Sequence, residues 1–227
     1  MKKFFTVISI CFFASVSAVA EDYWVTQYRA APGNFPALLE LVKTTDWQAL
    51  DNGRPIFMRH SQGNHWDLML LSTPCASSAC LKSMREFGEK TAKLVDFELS
   101  FLAWSDTNWK EVHQQADSAG LFHIEMFHAA AGKNAALQRQ RRIENAYLAA
   151  TGQKENIIFR VHYGSDIDMF TIGFHESLSS FASQGPSSSE AAEKAAVEAG
   201  FKNRADISFH LRELIVGHHD TLAVPVK

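Results

Sequence analysis

The sequence predicts an α+β fold built twice over, two strand–helix–strand–strand–helix–strand units in tandem. Three observations carry this. Tyr23-Trp24-Val25-Thr26-Gln27-Tyr28-Arg29, followed by Ala30-Ala31-Pro32-Gly33, reads as a strand running into a helix, and Leu121 to His128, followed by Ala129-Ala130-Ala131-Gly132, repeats the plan. Matching anchors recur after about 100 residues, a period too long for a solenoid: Phe57…His60 with Phe159…His162, Trp66-Asp67-Leu68 with Ile167-Asp168-Met169, and Ser100-Phe101 with Ser208-Phe209. Each unit also carries a Gly-centred break between two short alternating runs.

The elements follow in order. Residues 22 to 29 alternate as a strand. Asn34 to Lys43 is helical, with Asn34 as cap, Pro36 in the first turn and Leu38, Leu39, Leu41 and Val42 as its apolar stripe. Pro55 to His60 and Trp66 to Ser72 are strands around Ser61-Gln62-Gly63-Asn64. A helix near Leu81 to Leu94 and a strand from Phe97 to Trp104 complete the first unit. In the second, strand 121 to 128 leads to a helix from Lys133 to Thr151, ended by Gly152. Asn156 to Tyr163 and Asp168 to Phe174 pair around Gly164-Ser165-Asp166. Ser177 to Ala182 starts a helix that Gln184 to Ser189 breaks and Glu190 to Ala199 resumes. Ile207 to Val216 reads as the last strand, and His218-His219-Asp220, metal-friendly in its side chains, as an exposed polar turn before the tail.

The domain boundaries expected from this are a leader over 1–20, a first unit over 21–105, a polar linker over 106–119 and a second unit with its tail over 120–227. The leader has Lys2 and Lys3, an apolar run from Phe4 to Val16, and Ala18-Val19-Ala20 as a small-x-small cleavage signal. The run is short of the roughly 20 residues that span a bilayer, so export to the periplasm or medium is expected, with no membrane association after cleavage. Cys75 and Cys80 then form a local disulfide. The 227 residues, 46% of them hydrophobic, supply a real core, and the net charge of −3 offers no basic stripe for nucleic acid.

With tandem halves, this element order and two Gly-centred hairpins, residues 22 to 216 resemble the dimeric α/β-barrel superfamily, in which two ferredoxin-like, four-stranded antiparallel sheets face each other. The resemblance implies an intrachain barrel, and a monomer or a homodimer. The superfamily includes cofactor-independent monooxygenases of the antibiotic-biosynthesis type, haem-degrading oxygenases, chlorite dismutase-like haem proteins and stress-related proteins.

Strand alternation divides the side chains between two faces. Assigning the more uniformly apolar face to the helices puts Phe122, Ile124, Met126, Phe159, Phe170 and Ile172 under the helices of the second unit. His123, Glu125, Phe127, Arg160, His162, His210 and Arg212 then point into the barrel. The same register sends Trp24, Thr26, Tyr28, Met58, His60, Trp66, Leu68, Ser100, Leu102 and Trp104 inward in the first unit. A cavity with an aromatic half and an ionisable half is expected.

Within it, His123 or His210 is the candidate base, Glu125 the group that orients the ring, and Arg160 the anchor for an enolate or carboxylate. Trp24, Trp66, Trp104, His162 and Arg212 complete the candidate ligand-binding set. His123 and Glu125 with His210 or His162 match the ligand count of a two-histidine, one-carboxylate metal site. Alternation alone produces that spacing, and no metal ligand is assigned. A histidine with Trp24, Trp66 or Trp104 against a macrocycle, and Arg160 or Arg212 on a propionate, is the haem reading. The first strands, however, carry Thr26 and Glu125 where haem-degrading relatives carry Asn. No cofactor is assigned. The expected function is binding of a small aromatic or amphipathic molecule, with monooxygenase-like oxidation as the implied activity. The alternatives are a non-catalytic haem or divalent-metal binder and a structural or stress-related barrel without a catalytic site.

Overall fold

The computed structural model describes residues 20–183, 185 and 188–227. Nearly all of the expected leader, and Gln184, Pro186 and Ser187 of the expected break, lie outside the described residues. The first unit comprises β1 (Glu21–Ala30), α1 (Phe35–Thr44), β2 (Ile56–Gln62), β3 (Leu68–Ser72), α2 (Ser78–Thr91) and β4 (Val95–Ser105). After α3 (Trp109–Ser118) the second unit comprises β5 (Leu121–Ala129), α4 (Asn134–Ala150), β6 (Ile157–Tyr163), β7 (Met169–His175), the short helices α5 (Leu178–Ser183), α6 (Ser189–Ala199) and α7 (Asp206–Arg212), and β8 (Ile215–Pro225).

The strands close into one barrel in the order β1-β3-β2-β8-β5-β7-β6-β4. Each unit supplies a ferredoxin-like half, and antiparallel β2–β8 and β4–β6 pairs seal the two seams. The chain is therefore a single-chain barrel of two βαββαβ repeats.

The two halves share a local device. The Asp67 carboxylate accepts the backbone N–H of Ala30 at 2.8 Å, and the Asp168 carboxylate accepts that of Ala129 at 2.8 Å. Each aspartate also donates its own backbone N–H, to Tyr28 and Phe127 respectively. Gly63 and Gly164, with φ of +126° and +96°, press each hairpin onto the last strand of the other unit. A Cβ on Gly63 would lie 2.0 Å from the Asp220 carbonyl oxygen, and one on Gly164 2.8 Å from that of Ser100. These contacts make Asp220 the counterpart of Ser100, and β8 the counterpart of β4.

That pairing corrects the expected last strand. Residues 206–212 form α7, and the closing strand begins only at Ile215. The apolar residues Ile207, Leu211 and Leu214 recur at i, i+4 and i+7, the period of a helix, and pack toward α4. Ser208-Phe209 is accordingly not the repeat of Ser100-Phe101.

The assignment of faces is also reversed on β1, β4, β5, β6 and β7, whereas Met58 and Trp66 do face the barrel interior as expected. Tyr23, Val25, Phe101, Phe122, Ile124, Met126, Phe159, Phe170 and Ile172 belong to one buried cluster inside the barrel. Phe159 and Phe170 stack there at 4.6 Å, and the apolar face of α3 (Trp109, Val112, Ala116) joins the same cluster. The interior is thus a packed apolar core rather than a polar chamber. The outer faces carry the helices. Tyr28, Phe57, Leu68 and Leu70 meet α1 and α2 through Leu38, Val42 and Phe87, and Phe127 and Met169 meet α4 through Leu137. The physical reason is enclosure. Eight strands shut most of their inner face from water, so apolar side chains fill it most cheaply and the buried Gln27 is held there by a contact to Met126, whereas the sheet–helix layer is open along its edges.

Candidate functional site

On β5, His123 and Glu125 share the outer face, two residues apart. The neighbouring β8 runs antiparallel, with Asp220 opposite Glu125 and His218 opposite Phe127. Alternation on the two strands therefore brings His-x-Glu and His-x-Asp together.

His218 Nε2 lies 3.5 Å from Glu125 Oε1 and 3.4 Å from Asp220 Oδ1, and His123 Nε2 lies 3.3 Å from Asp220 Oδ1. The second oxygen of Glu125 is held elsewhere, accepting from Arg141 Nη1 at 3.2 Å and from the Thr171 hydroxyl at 3.2 Å. Arg141, buried on α4, also pairs with Glu144 and bonds Gln140. Phe127 stacks on the His218 ring at 5.0 Å, and Phe181 of α5 lies 5.0 Å from the His123 ring.

The protonation pattern follows from these contacts. Hydrogen bonds to Asp220 and Glu125 push His218 up to about 9, against the opposing effect of burial. Hydrogen bonds from His123 and His218 hold Asp220 well below the usual carboxylate range. Burial is the largest influence on Glu125 and would raise it, but His218, Arg141 and His123 together outweigh it and leave the carboxyl lowered. Burial raises Glu144, opposed by Arg141.

Of the residues the sequence singled out, His123 and Glu125 sit in this cluster, on the outer face rather than inside the barrel. His210 and Arg212 do not join it. They lie on α7, where His210 Nδ1 faces Glu213 at 3.7 Å and Arg212 bonds Ser208. Trp104, Arg160 and His162 do converge, outside the barrel along the β4–β6 seam. The Arg160 guanidinium lies 3.1 Å over the Trp104 ring and His162 stacks on that ring at 5.9 Å. Trp66 is fully buried in the barrel cluster, 5.6 Å from His60, and Trp24 faces α2. Sequence reasoning does not join His218 and Asp220 to His123 and Glu125, because the His218-His219-Asp220 run reads as a polar turn although it lies on β8. The signal was present, since His218-x-Asp220 has the same one-residue spacing as His123-x-Glu125.

The equivalent face of the first unit is open. Thr26, paired with Ser100 across β1–β4, stands where Glu125 and Asp220 stand in the second unit, and their hydroxyls bond at 2.9 Å. Above them, between the sheet and α2, lies a cleft of about 440 Å³. Trp24, Tyr28, Met84 and Phe87 form apolar walls, and Arg85 and Glu98 supply charge. Partial burial against those walls raises the Glu98 carboxyl. The Cys75–Cys80 disulfide ties down the start of α2, and Cys75 borders the cleft.

The cleft walls offer no imidazole, while His123 and His218 face carboxylates at 3.3–3.5 Å.

The closed barrel of two tandem ferredoxin-like halves is the fold of the dimeric α/β barrels. No family model and no curated protein matches the sequence. Among solved structures, the chain is similar to an anthrone oxidase-like protein, with a TM-score of 0.53 and 13% identity over 91% of each chain. It is similar to a candidate chlorite dismutase, with a TM-score of 0.56 and 10% identity over 91% of this chain and 95% of the other. A candidate monooxygenase from Fusobacterium nucleatum subsp. nucleatum gives a TM-score of 0.55 and 6% identity over 92% and 94%. At these identities the likeness is one of fold.

Proposed function

We propose that the protein is an exported small-molecule-binding barrel that takes an amphipathic, ring-bearing ligand into the cleft between β1, β4 and α2. The observation that carries this is the cleft itself: about 440 Å³, walled by Trp24, Tyr28, Met84 and Phe87, with Arg85 and Glu98 as polar handles. Aromatic walls with a few polar groups suit a flat ring system bearing an anionic or hydroxyl substituent. The names of the anthrone oxidase-like and candidate monooxygenase neighbours accord with such a ligand. The disulfide and the sequence of the leader support export.

A monooxygenase-like step would use Glu98 as the base on the cleft wall, since desolvation raises its proton affinity. The test uses anilinonaphthalene sulfonate, an aromatic anion whose fluorescence reports burial, with melting shifts as a second readout. Gly88 lines the cleft on α2, and a Cβ there would meet nothing within 4 Å. Gly88→Leu is therefore expected to fold at least as well as wild type and to lose the dye. Equal dye binding by wild type and Gly88→Leu would refute the cleft as the binding site. Oxygen uptake with anthrone, abolished in Glu98→Gln while dye binding persists, is the result expected of the catalytic step. Uptake unchanged in Glu98→Gln would remove Glu98 from it.

A further inference from the structure

We propose that His123, Glu125, His218 and Asp220 form a binding site for one first-row divalent transition-metal ion of the zinc type, on the outer face of the β5–β8 pair. The ligand atoms of His123, Glu125 and Asp220 lie within 4.8 Å of one another, and His218 Nε2 reaches both carboxylates.

The spacing is the first argument. Ligands about 2.0–2.1 Å from a tetrahedral ion lie about 3.3–3.4 Å apart. The His123–Asp220, His218–Asp220 and His218–Glu125 contacts are 3.3, 3.4 and 3.5 Å. A charge-assisted N–H···O bond closes to about 2.7–2.9 Å, shorter than any of these. Three of the six edges of a tetrahedron are therefore already close to the length that a bound ion would set.

The surroundings are the second. Arg141 and Thr171 hold Glu125 Oε2 and leave Oε1 directed at His218, the outer contacts that fix a carboxylate ligand. Phe127 and Phe181 pack on the two imidazoles and limit their rotation. Glu144 balances Arg141, so the charges of Glu125 and Asp220 remain for the ion.

The third is the internal comparison. At the equivalent positions of the first unit, Trp24, Thr26, Glu98 and Ser100 offer no imidazole and one carboxylate. The two halves differ together at all four places. The other cluster of suitable residues among those described, Asp51 with Cys75 and Cys80, has its sulfurs joined in a disulfide and offers no thiolate. Two imidazoles and two carboxylates select a zinc-, cobalt- or iron-like ion over magnesium or calcium, which prefer oxygen ligands alone.

The experiment is titration calorimetry of the chelator-treated chain, without a histidine tag, against Zn²⁺, with Co²⁺ absorption as an independent reading of geometry. Expected are one ion per chain, a tetrahedral Co²⁺ spectrum, and at least tenfold weaker binding in His218→Ala and Asp220→Asn. Asp220 is 58% exposed at its side chain, so Asp220→Asn leaves the core undisturbed and its result is not confused with misfolding. Absence of stoichiometric binding would overturn the proposal. Binding of equal strength in wild type and both variants would also do so, because it would place the ion on other histidines.

Discussion

The His218 contacts make stability depend on pH in a direction that can be worked out. His218 is raised from an ordinary 6.5 to about 9, so the fold favours its protonated form. Its contribution is complete below about pH 6.5 and is lost as pH rises through 9. At about 1.4 kcal/mol for each tenfold change in proton affinity, the full shift is worth about 3 kcal/mol. The ring is 27% exposed and its partner Asp220 58% exposed. Solvent screening therefore reduces the figure to about 2 kcal/mol. The assay is urea denaturation followed by circular dichroism at pH 6, 8 and 10, with chelator present so that only the proton occupies the imidazole. Wild type should exceed His218→Gln by about 2 kcal/mol at pH 6, and the two should converge by pH 10. A difference between them that stays constant from pH 6 to pH 10 would refute the reasoning.

Three further outcomes are expected. On the acid side, Asp220 and Glu125 are lowered from 3.8 and 4.5. Their contribution is present above those values and is lost as pH falls below them, and Asp220→Asn should flatten that limb of a denaturation series. Gly63→Ala combines a φ of +126° with backbone 2.0 Å from the new Cβ, whereas Gly53→Ala at φ +83° meets nothing within 4 Å. Calorimetry should find a cost of about 1 kcal/mol for Gly53→Ala and about 3 kcal/mol or more for Gly63→Ala. Phe170→Ala should cost about 3–5 kcal/mol in chemical denaturation, as for a packed interior; a cost under about 1 kcal/mol would show that the barrel interior is a loosely filled cavity.

The α+β class, the tandem plan and the hairpins were legible in the sequence because each rests on local chemistry. Gly63 and Gly164 mark breaks between alternating runs, and Asp67 and Asp168 fall at matching places after them. The repeat could be read until the last strand. There, Ile207, Leu211 and Leu214 fit a helix stripe, yet over ten residues they also pass for a strand. The true strand, carrying Gly217-His218-His219-Asp220, lacks an apolar signal on its outer face because that face holds the candidate site.

His123 and Glu125 could be nominated from their spacing, but their surroundings could not. Alternation says that His123, Glu125 and Phe127 share a face. It does not say which face turns inward, since in a closed barrel both sides of the sheet are apolar along most of their length. Partner strands settled that. Pairing β5 with β8 set Asp220 opposite Glu125 and brought in His218, and laying α4 across them supplied Arg141. The sequence by itself determined the elements up to the last strand, their duplication and half of the ionisable cluster, through turn chemistry and periodicity. Tertiary structure alone decided the inside of the barrel, the identity of the closing strand and the meeting of four side chains from two strands. Those depend on contacts between residues about 95 apart in the chain, which no local pattern encodes.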